Sequence, residues 1–191
     1  SVQEALRVLK DLRERLEPAV PAAQNEAKQI ALDFHQRLPV IYGTQGWKGV
    51  VAYRWKTQIN ENAKAQAMAN QFPELNHNET DGWEVPPAIN RLCQVVLLRE
   101  PDDPALIRRR IEVTAELMRP HVAGIREVWA EGDSALARLF SLLYLGDYVS
   151  LYLAYLYRVD PTPVKAIDRL KRELARLQAE GGERGGDGSG S

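Results

Sequence analysis

Two short apolar runs constrain this chain more than anything else in it. They are Leu38–Tyr42 (LPVIY), stopped by Gly43, and Arg91–Leu98 (RLCQVVLL), closed by Arg99-Glu100-Pro101. Apolar and polar residues do not alternate in them, so neither suits a strand with one face in water. A continuous run of this length reads as a strand covered on both sides. Around these runs the apolar positions change to helical spacing. Ala5, Val8, Leu9, Leu12 and Leu16 mark a helix over Gln3–Leu16, ended by Pro18 and Pro21; Ala27, Ile30, Ala31 and Phe34 mark another over about Ala22–Arg37. Strands alternating with helices predict an α/β fold: a parallel sheet of about four to five strands flanked by helices in three layers, with extra N- and C-terminal helices. The expected organisation is a helical linker segment over 1–37, a domain over 38–180 and a flexible glycine-rich tail over 181–191.

The remaining elements follow in order. A helix is expected from about Lys48 to Asn70 and a strand over Phe72–Asn76. Asp102 or Asp103 with Pro104 starts a helix that runs to about Arg119. His121–Trp129 is the last strand. Ser134–Tyr157 is apolar and nearly long enough to span a membrane. Arg138, Gly146 and Asp147 interrupt it, and no loop charge pattern supports insertion, so it reads as a core or interface helix. Asp160-Pro161-Thr162-Pro163 breaks that helix. The last helix then begins with Thr162 as N-cap and Pro163 at its first position. A net charge of −1 offers no basic field for nucleic acid or an anionic membrane. The lone cysteine, Cys93, excludes an intrachain disulfide and sits in a strand as a small core residue. With one thiol and no signal-peptide pattern, the cytoplasm is the default compartment. The chain opens on Ser1-Val2 without an initiator methionine, which fits either an imposed boundary or a missing upstream part.

Several residues bear on chemistry. The turn Gly43-Thr44-Gln45-Gly46 lies between a strand and a helix, a layout that can present N–H groups to an anion, although two glycines more often only make a turn. In the helix that follows, Val51, Trp55, Ile59, Ala63 and Ala67 share one face, which should pack on the sheet. Glu61 then points to the opposite side, with Arg54, Thr57, Gln58, Lys64 and Met68. A solvated charged face is one reading of that stripe. Asn60 and Asn62, poor helix formers in mid-helix, and the apolar Val50 and Met68 argue for more. His77, between Asn76 and Asn78, follows the next strand and falls in a polar loop at the C-terminal edge of the sheet, where open α/β folds place ligands. A helix falling from Glu61 to Asn70 and a strand climbing back would set Glu61 and His77 at comparable heights, but with a helix layer between them. Lys165 sits in the first turn of the last helix, where the dipole does not favour a cation; a bound anion or carboxylate would explain it, and so would chance.

ENAK at Glu61–Lys64, LNHNE at Leu75–Glu79 and VDPTPVKAIDRLK at Val159–Lys171 together resemble the C-terminal half of the bifunctional phosphoglucose/phosphomannose isomerases, enzymes of two sugar-isomerase (SIS) domains. The resemblance runs from about Leu6 to about Leu177. It implies the SIS fold and interconversion of glucose 6-phosphate or mannose 6-phosphate with fructose 6-phosphate, by ring opening and proton transfer through a cis-enediolate. On that pattern Glu61 matches the base that moves the proton. His77 matches the ring-opening residue, which in the family comes from the neighbouring subunit of a homodimer. Lys165 matches the lysine that contacts sugar oxygens, and Arg54, Asn76 and Asn78 are substrate-binding candidates. No cofactor is implied, and no His/Cys/Asp spacing suggests a metal site.

The chain also departs from the two-domain pattern. The serine- and threonine-rich phosphate loop of the family's first SIS domain, and the arginine that stabilises its enediolate, are not in this sequence. Alone, the chain is therefore expected to be inactive or nearly so. A non-catalytic sugar-phosphate sensor is the rival class, because SIS domains also serve as regulatory modules. The paired ENAK and HNE motifs argue against it. An assembly domain is a third reading.

Overall fold

The computed structural model describes residues 1–183. Four strands form one parallel sheet: β1 (Leu38–Thr44), β2 (Met68–Phe72), β3 (Cys93–Arg99) and β4 (Gly124–Trp129), in the order β2-β1-β3-β4. Register is set by Val40 opposite Met68, Leu38 opposite Cys93 and Gln94 opposite Gly124. Every residue of β3 is buried, as its unbroken apolar run requires.

Helices cover both faces. On one side lie α1 (Val2–Leu16), α2 (Glu26–Phe34), α3 (Trp47–Ala63) and α6 (Ala135–Tyr157), whose buried residues join Ile41, Val96, Leu98 and Val128 of the sheet in one core. On the other side, α5 (Ala105–Met118) brings Ile111, Ala115 and Met118 against Val40, Tyr42, Val95 and Leu97. A short helix, α4 (Pro87–Asn90), precedes β3. Alternate residues of β1 and β3 thus enter opposite cores, as the two-residue period of a strand demands. The segment expected to be a linker is part of the packing: Leu12, Leu16, Ala27, Ile30 and Phe34 are each at most 1% exposed. Residues Ser1–Asp160 form one compact unit.

Helix α6 is long and apolar enough to cross a membrane by length and composition. Here Leu142, Leu145, Val149 and Leu153 enter the core it shares with α1, α2 and α3. Gly146 allows a close approach of α3. The Trp55 side chain of α3 lies over it, donating from Nε1 to the Leu142 carbonyl at 2.8 Å, and a Cβ at position 146 would stand 2.2 Å from that nitrogen.

Boundaries differ from the sequence reading in two places that matter. Helix α3 ends at Ala63, seven residues early, because Lys64 takes a left-handed conformation (φ 55°) at its C-cap. Strand β2 is consequently Met68–Phe72, and Glu74–Asn76 of the expected strand Phe72–Asn76 fall in a 3-10 turn, Glu74–His77. The second unit begins at Pro161. Its helix α7 (Lys165–Glu183) starts at Lys165 rather than Pro163, and carries Ile167, Leu170, Leu174 and Leu177 at three- and four-residue spacing. Of the expected tail, 181–183 belong to α7 and 184–191 lie outside the described residues.

Candidate active site

Helix α3 leaves the C-terminal edge of β1 and returns the chain to the start of β2. Glu61 is fourteen residues into that descent, about 21 Å at ~1.5 Å per residue. It therefore lies near the N-terminal edge of the sheet. His77 follows the C-terminal end of β2, at the other edge. The expectation of comparable heights fails because the helix ends at Ala63, and β2 then climbs the whole sheet before His77 is reached. The separation inferred from helix phase is thus enlarged. Glu61 is exposed, as its phase predicts, while Val51, Trp55, Ile59 and Ala63 are buried. Its carboxylate makes no hydrogen bond or ion pair among the described residues.

The residues around Glu61 are tied down. The Asn60 amide donates to the Ala65 carbonyl at 2.8 Å, the Asn62 amide donates to Ser150 Oγ at 2.8 Å, and the Lys64 ammonium donates to the Glu61 carbonyl. Arg54, two turns earlier, is half-exposed and reaches Asp147 of α6 at 3.5 Å. Burial raises the pKa of Asp147, and the Arg54 charge opposes that rise.

The His77 loop is held from both sides of the histidine. The Asn76 amide donates to Thr114 Oγ1 of α5 at 2.8 Å and to Thr80 Oγ1 at 3.2 Å, so this candidate ligand-binding group is committed to the loop's own frame. Asn78 turns back too: its Oδ1 accepts from the Glu79 amide at 2.6 Å, and its Nδ2 donates to Glu74 at 3.3 Å. The Glu79 carboxylate accepts from the Tyr42 hydroxyl and the Asn70 amide. Burial first, then the Glu79 charge, push the Tyr42 pKa well above its ordinary value, which keeps it a donor. Leu75, fully buried, pins the turn. His77 and Asn78 are left exposed.

The crevice where the strand order reverses, outside the C-terminal ends of β1 and β3, is where such sheets take ligands. A cavity of about 310 Å³ is present there, lined by Thr44, Gln45, Lys48, Glu100 and Asp103 among others. The Lys48 ammonium, 4% exposed, is bonded to both Glu100 and Asp103, and Asp103 also pairs with Arg99 at 3.3 Å. The carboxylates would repel a phosphate dianion, and the one buried ammonium is already neutralised. The glycines of the preceding turn have a steric cause instead. A Cβ on Gly43 would meet the Lys48 carbonyl at 2.2 Å, and Gly46 has φ 102°. Among the described residues, no three His, Cys, Asp or Glu side chains gather as a bound cation would need.

A family model described as the bacterial phospho-glucose isomerase C-terminal SIS domain matches residues 23–174. The chain belongs to this family. Its relatives include the bifunctional phosphoglucose/phosphomannose isomerase of Caldicellulosiruptor bescii, 49% identical over 93% of this chain and 52% of that protein. The enzyme of the same name from Aquifex aeolicus is 36% identical over 88% of the chain and 52% of that protein. The chain spans about half the length of the curated relatives it matches. Among solved structures, a glucose-6-phosphate isomerase like protein from Thermus thermophilus superposes with a TM-score of 0.70 at 28% identity, over 84% of this chain and 53% of that one. The SIS fold expected from the motifs is therefore the fold observed.

Sequence reasoning missed Ser150, Asp147, Thr114 and Tyr42, which bond to Asn62, Arg54, Asn76 and Glu79 around the candidate residues. A trace was available for two. Asp147 and Ser150 are polar residues three apart in a mostly apolar helix, and Ser150 is wholly buried.

Proposed function

We propose that this SIS domain supplies the proton-transferring half of an aldose–ketose isomerase that interconverts glucose 6-phosphate or mannose 6-phosphate with fructose 6-phosphate. The observation that carries the proposal is Glu61: an exposed carboxylate, unpartnered among the described residues, whose neighbours on both sides are hydrogen-bonded into place. A carboxylate in that state can take the proton from C2 of the open-chain aldose and return it to C1 on the same face of a planar cis-enediolate. His77 opens the sugar ring, and Lys165 contacts the sugar oxygens. Arg54 and Asn78 remain candidates for substrate contact, whereas Asn76 acts by holding the loop. No cofactor enters this chemistry.

Glu61 and His77 belong to opposite edges of one sheet, so a single copy cannot close them on one sugar. A homodimer in which His77 serves the neighbouring subunit's Glu61 resolves this. The phosphate is held elsewhere, because the crevice of this domain presents the carboxylates of Glu100 and Asp103, with the Lys48 ammonium already paired to them. Those carboxylates also speak against the sensor reading, which needs a sugar-phosphate pocket within the domain. Fructose 6-phosphate turnover is the test. The chain alone should show almost none. In an enzyme carrying both SIS domains, Glu61→Gln should lower kcat by roughly 10²–10⁴-fold, the range a positioned general base supplies. Near-normal turnover by that variant overturns the assignment of Glu61.

A further inference from the structure

Asn60 and Asn62 stand on either side of Glu61, in the last turn of α3. Asparagine is a poor helix former there, and helix ends lack the full ladder of backbone bonds. Both side chains compensate, in different directions. Asn60 bonds locally, to the Ala65 carbonyl just beyond the helix. Asn62 reaches a different element. Its Nδ2 donates to Ser150 Oγ of α6 at 2.8 Å. Ser150 is wholly buried, and its hydroxyl proton is already given to the Asp147 carbonyl at 2.7 Å. A hydroxyl has a single proton, so toward Asn62 it can only accept. The chain of bonds therefore has one polarity, from the Asn62 amide through Ser150 to the backbone of α6. One turn of α6 carries this anchor and the Asp147 carboxylate that meets Arg54.

We propose that Asn62, through Ser150, is a positioning residue for Glu61: it locks the final turn of α3 to α6 and so fixes the direction of the neighbouring carboxylate. The proposal rests on the reading of Glu61 as the proton-transferring base. Neither Asn62 nor Ser150 touches the sugar. Loss of the bond leaves Glu61 chemically intact but free to wander, and a displacement of about 1 Å at a reacting group can cost on the order of 10²-fold in rate. Binding of the sugar phosphate, carried by other groups, should change little.

The test uses an isomerase carrying both SIS domains, with Asn62→Ala, Ser150→Ala and, as reference, Glu61→Gln. Three quantities are read: kcat and KM for fructose 6-phosphate, the melting temperature, and the fraction of deuterium carried from C2 of labelled glucose 6-phosphate to C1 of fructose 6-phosphate. Both alanine variants should lose roughly 10- to 100-fold in kcat with KM within about threefold, and should carry less label, because a loose base exchanges its proton with water before returning it. Unchanged kcat in both variants overturns the proposal. So does a loss of rate that only follows loss of folded protein, with label carried as in the wild type. If one variant does not fold, the other supplies the comparison, since each removes the same bond. Activity surviving in Glu61→Gln would sink the base itself; a dead Glu61→Gln beside two wild-type-like alanine variants would sink only the positioning role.

Discussion

The carboxylate of Glu4 joins two helix ends. It accepts from the Ser1 amino group to complete the capping box of α1, and from the backbone amides of Asp133 and Ser134 at 2.6 and 3.0 Å, where α6 begins. These bonds, with Ser134 the largest contributor, lower its pKa from 4.5 to about 2. A depressed carboxylate pKa stabilises the fold fully above the unfolded value and loses that contribution as pH falls through the folded one. The melting temperature of wild type should therefore exceed that of Glu4→Gln near neutrality, and the gap should close between pH 4.5 and 2. A gap that stays constant across that range contradicts the linkage. Glu4 was not singled out in the sequence, because its partners lie about 130 residues away. Glu61 was legible because its orientation depends only on helix phase. The purpose of Asn60 and Asn62 was not: one partner is a carbonyl past a helix end set by the left-handed Lys64, and the other is 88 residues downstream.

Helix α3 owes its setting to α6 more than to its own sequence. Three contacts fix the pair: Trp55 over Gly146, Arg54 with Asp147, and Asn62 with Ser150. Gly146 is the one that a single methyl can test. Its Cβ would stand 2.2 Å from Trp55 Nε1, and Trp55 is 1% exposed, so the indole cannot swing into solvent without opening the core. Gly146→Ala should destabilise the fold by about 1–3 kcal/mol, the usual cost of overpacking, and urea unfolding followed by circular dichroism would show a lower midpoint. An unchanged midpoint would mean that the two helices separate at little cost. At this scale the strands β1 and β3 were readable as unbroken apolar runs. The end of α3 was not, since Ala65, Ala67 and Met68 continue a plausible helical pattern and only the backbone of Lys64 breaks it. That misplaced β2 by four residues and put Glu61 and His77 at the wrong relative height.

The whole molecule sets the two candidate catalytic residues at opposite edges of one sheet. The parallel sheet and its helical layers could be read from apolar runs alternating with helical spacing, and the family from three separated motifs. The spacing between Glu61 and His77 could not, because it depends on where a helix stops. Residues 1–37, expected as a linker, are wedged into the core through Leu12, Leu16, Ile30 and Phe34. The crevice that a parallel sheet of this order would offer a ligand is lined by the paired charges of Lys48, Glu100 and Asp103. On the proposed reading, the carboxylate of Glu61 and the imidazole of His77 serve different sites, since they lie at opposite edges of the sheet. The account requires that partners supply the rest, and mixing mutant subunits measures this directly. In the two-domain isomerase, Glu61→Gln and His77→Ala should each be nearly inactive as homodimers. Random reassortment of equal amounts makes half the dimers mixed, each with one intact site, so activity should return to about a quarter of wild type. Activity no higher than that of the two parents, with mixed dimers shown to have formed, would contradict a site shared between subunits.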